Sequence, residues 1–177
     1  TSESYALSKI AGIKLCQSYR RQYGFNAIAM IPATVYGPGS DVDLGTAHVM
    51  GALLEKFHQA VFKQQKEVVV WGSGRPQREF LFVDDFVEAS IFLMERYDHE
   101  QVINVGPGTD ISIRKLAKMI AAAAGFQGKI IFDRTKPDGA RRKLLDNSRI
   151  GQLGWQAKVS LEEGIAKTCQ WYKNNLI

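Results

Sequence analysis

An α/β fold around a mostly parallel sheet is what this sequence predicts, and two features carry the expectation. Short apolar or β-branched runs of strand length alternate along the chain with longer stretches whose apolar residues recur every three or four positions. Turns containing glycine or proline separate them, and no internal repeat, low-complexity tract or flexible linker breaks the order. With 177 residues, 45% of them hydrophobic, the chain can bury a core and suits one domain or a large piece of one larger α/β unit.

Tyr5 to Tyr23 holds good helix formers with apolar positions at Leu7, Ile10, Ala11, Ile13 and Leu15, and Gly24 stands where a C-terminal cap falls. A long opening helix is expected there. Asn26 to Ile31 is a short apolar run ended by Pro32, and Tyr36-Gly37-Pro38-Gly39 marks a loop, which together predict a buried strand feeding a connection. A helix is expected from about Thr46 to Lys63. Glu67 to Trp71 is β-branched and apolar, and Gly72 to Gly74 turns the chain. Glu79 to Val83 then resumes as a strand before Asp84 and Asp85 open a helix through Arg96. Val102 to Val105 predicts a strand, Gly106-Pro107-Gly108 a turn, and Ser112 the cap of a helix to Ala124 with Ile113, Leu116, Ala117 and Ile120 on one face. Lys129 to Phe132 supplies another strand. Ser160 and Glu163 have capping-box spacing and start a last helix through Tyr172, with Cys169 on its apolar side as filler.

A doubly wound nucleotide-binding sheet begins with a strand, a glycine-rich turn and a helix that receives a pyrophosphate. No GxGxxG turn precedes the first helix here, and the chain starts at Thr1 without a methionine. Either the arrangement is a different one, or its glycine-rich first half lies outside this chain.

The formal net charge of +5 favours an anionic ligand. Basic residues are scattered, with only Arg141-Arg142-Lys143 dense, and are not interleaved with aromatics, which points to phosphate and away from nucleic acid. That dense run also suits a plain exposed basic stretch. Cys16 and Cys169 lie far apart outside any CxxC or His-rich spacing, so neither zinc nor a disulfide framework is expected, and a reducing cytoplasm is the expected compartment. No apolar run approaches the roughly 18 residues that a membrane span needs. Gly106-Pro107-Gly108 lacks the lysine of a P-loop. Asp84 and Asp85 suit a helix cap better than a metal, since no other carboxylates gather near them, and no metal site is expected.

Tyr5 and Lys9 lie four apart on the predicted helix and so project from one face, about one turn apart. A tyrosine hydroxyl is a reluctant proton donor near neutral pH, and a neighbouring ammonium favours the phenolate it leaves behind. The same lysine can hold a ribose hydroxyl. A solvated helix face needs such a pair equally well, so its meaning depends on what surrounds it.

Tyr5-Ala6-Leu7-Ser8-Lys9 followed by Pro32-Ala33-Thr34-Val35-Tyr36-Gly37-Pro38 resembles the extended short-chain dehydrogenase/reductases. Arg78-Glu79-Phe80-Leu81-Phe82-Val83-Asp84-Asp85, Asn104-Val105-Gly106 and Leu153-Gly154-Trp155 fall where that superfamily carries similar segments, so the likeness covers essentially the whole chain. Five further segments are most similar to its GDP-L-fucose synthase branch: Lys9 to Lys14, Ala47-His48-Val49, Val69 to Gly74, Lys136 to Gly139, and Arg142 to Asp146.

The resemblance implies the last part of a Rossmann-type parallel sheet plus a small α/β substrate-binding domain. Residues 1–37 would end the Rossmann-type portion, and 38–177 would be mainly substrate-binding, with a strand-turn segment near 79–106 returning to the sheet. It further implies 3,5-epimerisation and NADPH-dependent 4-reduction of GDP-4-keto-6-deoxymannose. Tyr5 would protonate the C4 oxygen, Lys9 would tune it and touch the nicotinamide ribose, and His48 would act as acid/base at the carbons flanking the ketone. Its partner in the family is a cysteine of the preceding half, and Cys16 cannot replace it because it lies roughly 16 Å along the helix from Tyr5. Tyr5, Lys9, Pro32, Thr34, Val35 and His48 would line the cofactor, with Tyr36 also against the nicotinamide. The expected cofactor is NADP(H); NAD(H) stays open because its selection is written mainly in the missing half.

Arg78 and Lys143 match positions that contact the diphosphate, Lys56 stands where the family has an arginine, and Trp71 would pack on base or sugar or serve as core. Thr34 replaces an asparagine. These two departures leave the sugar open. The chain is therefore expected to be the carboxy-terminal, substrate-side half of a longer enzyme, inactive by itself. Its expected partners are a GDP-sugar and a second copy in a homodimer through the opening helix. The alternatives are another nucleotide-sugar 4-epimerase or reductase of the superfamily, and a non-catalytic sugar-nucleotide-binding fragment.

Overall fold

The computed structural model describes residues 3–176. Its elements are α1 (Glu3–Tyr23), β1 (Met30–Pro32), β2 (Thr34–Tyr36), α2 (Val49–Phe62), β3 (Glu67–Trp71), β4 (Gln77–Phe82) and α3 (Val83–Arg96). After these come β5 (Ile103–Val105), β6 (Asp110–Ser112), α4 (Ile113–Ala124), β7 (Lys129–Asp133), β8 (Arg142–Lys143), α5 (Ser148–Gln152) and α6 (Leu161–Leu176). The fold class is α/β as predicted. β1 runs parallel to β5, β2 to β4, β3 to β7 and β8 to β4, while β6 is antiparallel to β4.

Strand alternation makes β4 the wall shared by two cores. Phe80 and Phe82 enter one of them with Tyr36, Leu54, Phe57, Leu116, Ile120 and Ile165. Leu81, pointing the other way, enters the second with Ala89, Leu93, Ile103, Val105, Ile150 and Trp155. α4 is fastened at both ends as its sequence predicts. The Ser112 hydroxyl accepts the Lys115 N–H at 3.2 Å, and Gly125 takes the left-handed conformation, φ +83°, that side-chain-bearing residues avoid. α1 likewise ends at Gly24, φ +65°, whose N–H reaches the Arg20 carbonyl.

The structure corrects several expectations. The run from Asn26 pairs only from Met30, and the strand does not stop at Pro32: β2 follows at once, with the Ala33 N–H bonding the Val105 carbonyl where proline could not. α2 starts at Val49 and not at Thr46, because the Thr46 hydroxyl and the N–H groups of Thr46 and Ala47 are taken by Asp41 and Asp43. Asp84 and Asp85 do not cap α3, whose N-cap is Phe82. The buried Asp85 carboxylate instead accepts the N–H groups of Lys158 (3.1 Å) and Val159 (3.0 Å), tying the start of α6 to α3. The basic run at Arg141 is exposed as expected, but it is not a plain loop, since Arg142 and Lys143 form β8 against β4. α6 continues past Tyr172, and Cys169 is buried, its thiol pushed up to about 11 by burial.

No helix among the described residues is long and apolar enough to cross a membrane, and these residues contain no cluster of three His, Cys, Asp or Glu that could hold a metal ion.

Candidate functional site

α1 brings Tyr5 and Lys9 together: the Lys9 ammonium lies 5.3 Å from the centroid of the Tyr5 ring, and Tyr5 is 66% exposed. The two side chains therefore share one exposed face of α1. The helix is moored at its far end. Arg20 pairs with Asp98, Arg21 holds Glu100 by two bonds of 2.8 and 3.1 Å, and Gln17 donates to the Glu100 carbonyl. The Arg21 guanidinium keeps the Glu100 carboxyl below the usual carboxylate range.

Pro32 is exposed at the carboxyl end of β1, and Thr34 and Val35 are half-buried on β2. The carboxyl ends of parallel strands are where ligands of open α/β sheets bind. Pro32 thus stands where a ligand of such a sheet would bind, with Thr34 and Val35 next to it in the chain. Tyr36 does not join them. It is buried edge-on against Phe80 and Phe82, with its hydroxyl directed at the Leu161 carbonyl, and burial drives that hydroxyl well above its ordinary range.

His48 is the N-cap residue of α2, exposed and making no cap hydrogen bond with its ring. The loop before it is tightly set. Asp41 accepts the Thr46 hydroxyl (2.7 Å) and the Asp43 N–H (3.0 Å), which holds its carboxyl low. A Cβ on Gly51 would lie 2.0 Å from the Asp41 carbonyl oxygen, so only glycine lets this loop close on the first turn of α2.

β8 places Lys143 in register beside Arg78 on β4, and partners in register share a sheet face. Two positions 65 residues apart in the chain thus stand side by side in the sheet. The Arg78 guanidinium also donates to the carbonyls of Gln77 and Ala140, both at 2.6 Å. Trp71 is 67% exposed and is not core. Lys56 and Lys136 lie 5.5 and 5.6 Å from its ring centroid, and the Lys56 ammonium donates to the Val69 carbonyl at 2.9 Å. Partial burial lowers the Lys56 pKa.

Three further residues shape this region. Lys136 stands over Trp71. Asp138 accepts the Ser73 N–H and hydroxyl at 2.8 and 2.6 Å, closing the loop before Arg78. Glu79 is a buried carboxylate that accepts hydrogen bonds from Gly108, Leu145 and Asn147. Lys136 and Asp138 lie in a segment that the sequence resemblance marked without giving either a role, and Glu79 carried the signal of a charged residue inside an apolar strand.

Residues 1–106 match the NAD dependent epimerase/dehydratase family. The chain belongs to that family. Within the NAD dependent epimerase/dehydratases, the probable GDP-L-fucose synthase 1 of Oryza sativa is 49% identical over all 177 residues, which span 54% of that protein. The Escherichia coli GDP-L-fucose synthase is 49% identical over 99% of this chain and 57% of its own length. The chain therefore spans about half the length of the curated relatives it matches. Among solved structures, a GDP-L-fucose synthetase from Naegleria fowleri bound to NADP superposes with a TM-score of 0.93 at 27% identity, over 99% of this chain and 57% of the other. A GDP-6-OMe-4-keto-L-xylo-heptose reductase from C. jejuni gives 0.89 at 32% identity, over 98% and 61%.

Proposed function

We propose that this chain is the substrate-side part of an epimerase-reductase acting on GDP-4-keto-6-deoxymannose, and that it does not complete a catalytic cycle by itself. The observation that carries the reading is the Arg78–Lys143 pair: a guanidinium and an ammonium on one sheet face are the donor set a diphosphate takes. Trp71, flanked by Lys56, packs against the base or sugar of the same ligand. Residues 1–37 complete the cofactor-binding sheet and 38–177 mainly hold the substrate, with 79–106 returning to the sheet.

Bound NADPH supplies the hydride for the C4 carbon. Tyr5 gives its hydroxyl proton to the C4 oxygen, and the Lys9 ammonium balances the resulting phenolate and holds a ribose hydroxyl. Pro32, Thr34 and Val35 border the nicotinamide. His48, uncommitted to capping, moves protons at the carbons flanking the ketone, where the carbonyl makes C–H bonds acidic. The curated relatives are about twice as long as this chain, and the adenosine pyrophosphate is held by the part of the enzyme that the chain does not span. The apolar residues exposed on α1, among them Leu7, Ile10 and Leu15, support a homodimer through that helix.

The test uses the chain assembled with an amino-terminal half in deuterated water. His48→Asn is expected to abolish solvent exchange at C3 and C5 while sparing hydride transfer, and a variant that loses neither activity sinks the epimerase-reductase reading. A plain 4-reductase is the second reading, favoured by the fit to the C. jejuni reductase. Turnover by the unaltered chain without any exchange at C3 and C5 would select it.

A further inference from the structure

Glu79 follows Arg78 on β4, so its side chain points to the opposite face of the strand. It is only 3% exposed, and no lysine or arginine pairs with it among the described residues. A buried carboxylate persists only when its oxygens are satisfied. Here they accept the N–H of Gly108 (2.8 Å), the N–H of Leu145 (2.9 Å) and the Asn147 side-chain amide (2.9 Å). These donors come from two segments, the turn after β5 and the stretch between β8 and α5. The fit leaves no slack, since a Cβ on Gly106 would lie 2.4 Å from Glu79 Oε1.

Leu145 is two residues beyond Lys143, so Glu79 grips the chain just after β8 ends at the lysine. Before the lysine, the Gln77 N–H bonds the Arg141 carbonyl at 2.9 Å, and the Arg78 guanidinium bonds that of Ala140. A two-residue strand has too few ladder bonds to keep its register alone. We infer that Glu79 is a positioning residue: through Leu145 and Asn147 its carboxylate holds Lys143 in line with Arg78, so that the two cations meet a nucleoside diphosphate together. This rests on the reading of the Arg78–Lys143 pair proposed above.

Calorimetric titration of the chain with GDP tests it as a double-mutant cycle. Glu79→Gln, which keeps the shape but places an amide N–H against the donors, is expected to raise the Kd for GDP roughly tenfold or more. In a Lys143→Ala background the same change is expected to cost less than about twofold, because the group it positions is gone. Unchanged GDP affinity in Glu79→Gln overturns the inference, and so does an equal loss in both backgrounds, which marks a merely structural role. Should circular dichroism show Glu79→Gln unfolded, Asn147→Ala removes one of the three bonds and runs through the same cycle with the same criteria. Failure of the unaltered chain to bind GDP is distinct: it removes the proposed diphosphate site and this inference with it.

Discussion

Two helices with readable apolar positions meet opposite fates in this fold. α4, 12 residues long, buries Ile113, Leu116, Ala117, Ile120, Ala121 and Ala124, whereas α1, with 21 residues, buries none and leaves Leu7, Ile10 and Leu15 more than half exposed. α4 is held by its core face. α1 is held by propensity and by charged moorings at one end, Arg20 to Asp98 and Arg21 to Glu100. The substrate-side residues thus stand on a packed scaffold of their own, while Tyr5 and Lys9 stand on a helix whose apolar surface lacks a cover within these residues. The contrast agrees with the proposed division of labour, in which the proposed diphosphate contacts stand on the packed part and the proposed proton-donating pair needs more polypeptide around it.

The contrast breaks most readily in the packed half. Leu116→Ala is expected to cost about 2–5 kcal/mol in denaturant unfolding, the scale for truncating a fully buried leucine. A loss under about 1 kcal/mol would show that α4 is no better anchored than α1. A smaller effect comes from His58 on α2, which stacks on Tyr172 of α6 with ring centroids 4.4 Å apart and whose Nδ1 lies 2.9 Å from the Leu54 carbonyl. Burial, with Lys173 nearby and Glu55 opposing, keeps its pKa below the ordinary 6.5. The unfolded chain therefore takes up this proton first. Stability from the neutral ring is complete above about pH 6.5 and falls as pH drops through the window below it. His58→Phe should flatten that part of the stability–pH curve, and an unchanged slope would refute the assignment.

Leu15→Ala on α1 should change monomer stability by no more than about 0.5 kcal/mol, since the residue is 58% exposed. Sedimentation sharpens the point further. A dimer at micromolar concentration that Leu15→Glu dissociates would give α1 its cover, whereas a monomer at that concentration would overturn the homodimer.

Helix periodicity, caps and the β-branched run at Glu67 to Trp71 were legible in the residues themselves, which is why α1, α4, Ser112, Gly24 and β3 fell where expected. β6 and β8 were not, because Asp110-Ile111-Ser112 and Arg142-Lys143 contain no apolar run to read and become strands through their pairing with β4. The same limit hid part of the site. Arg78 and Lys143 could be named separately, but their registry and the grip of Glu79 depend on segments that meet only in three dimensions. Tyr36 misled for the complementary reason: the motif around it suggested a cofactor wall, and the core took its ring.

The central claim is tested most directly by NADPH oxidation with GDP-4-keto-6-deoxymannose, using the chain alone, the chain with an added amino-terminal half, and Tyr5→Phe as control. No turnover by the chain alone, and turnover restored by the added half and lost again in Tyr5→Phe, is the predicted result. Tyr5-dependent turnover by the chain alone would contradict the division of labour, and no turnover in any combination would leave a sugar-nucleotide-binding fragment in place of the enzyme.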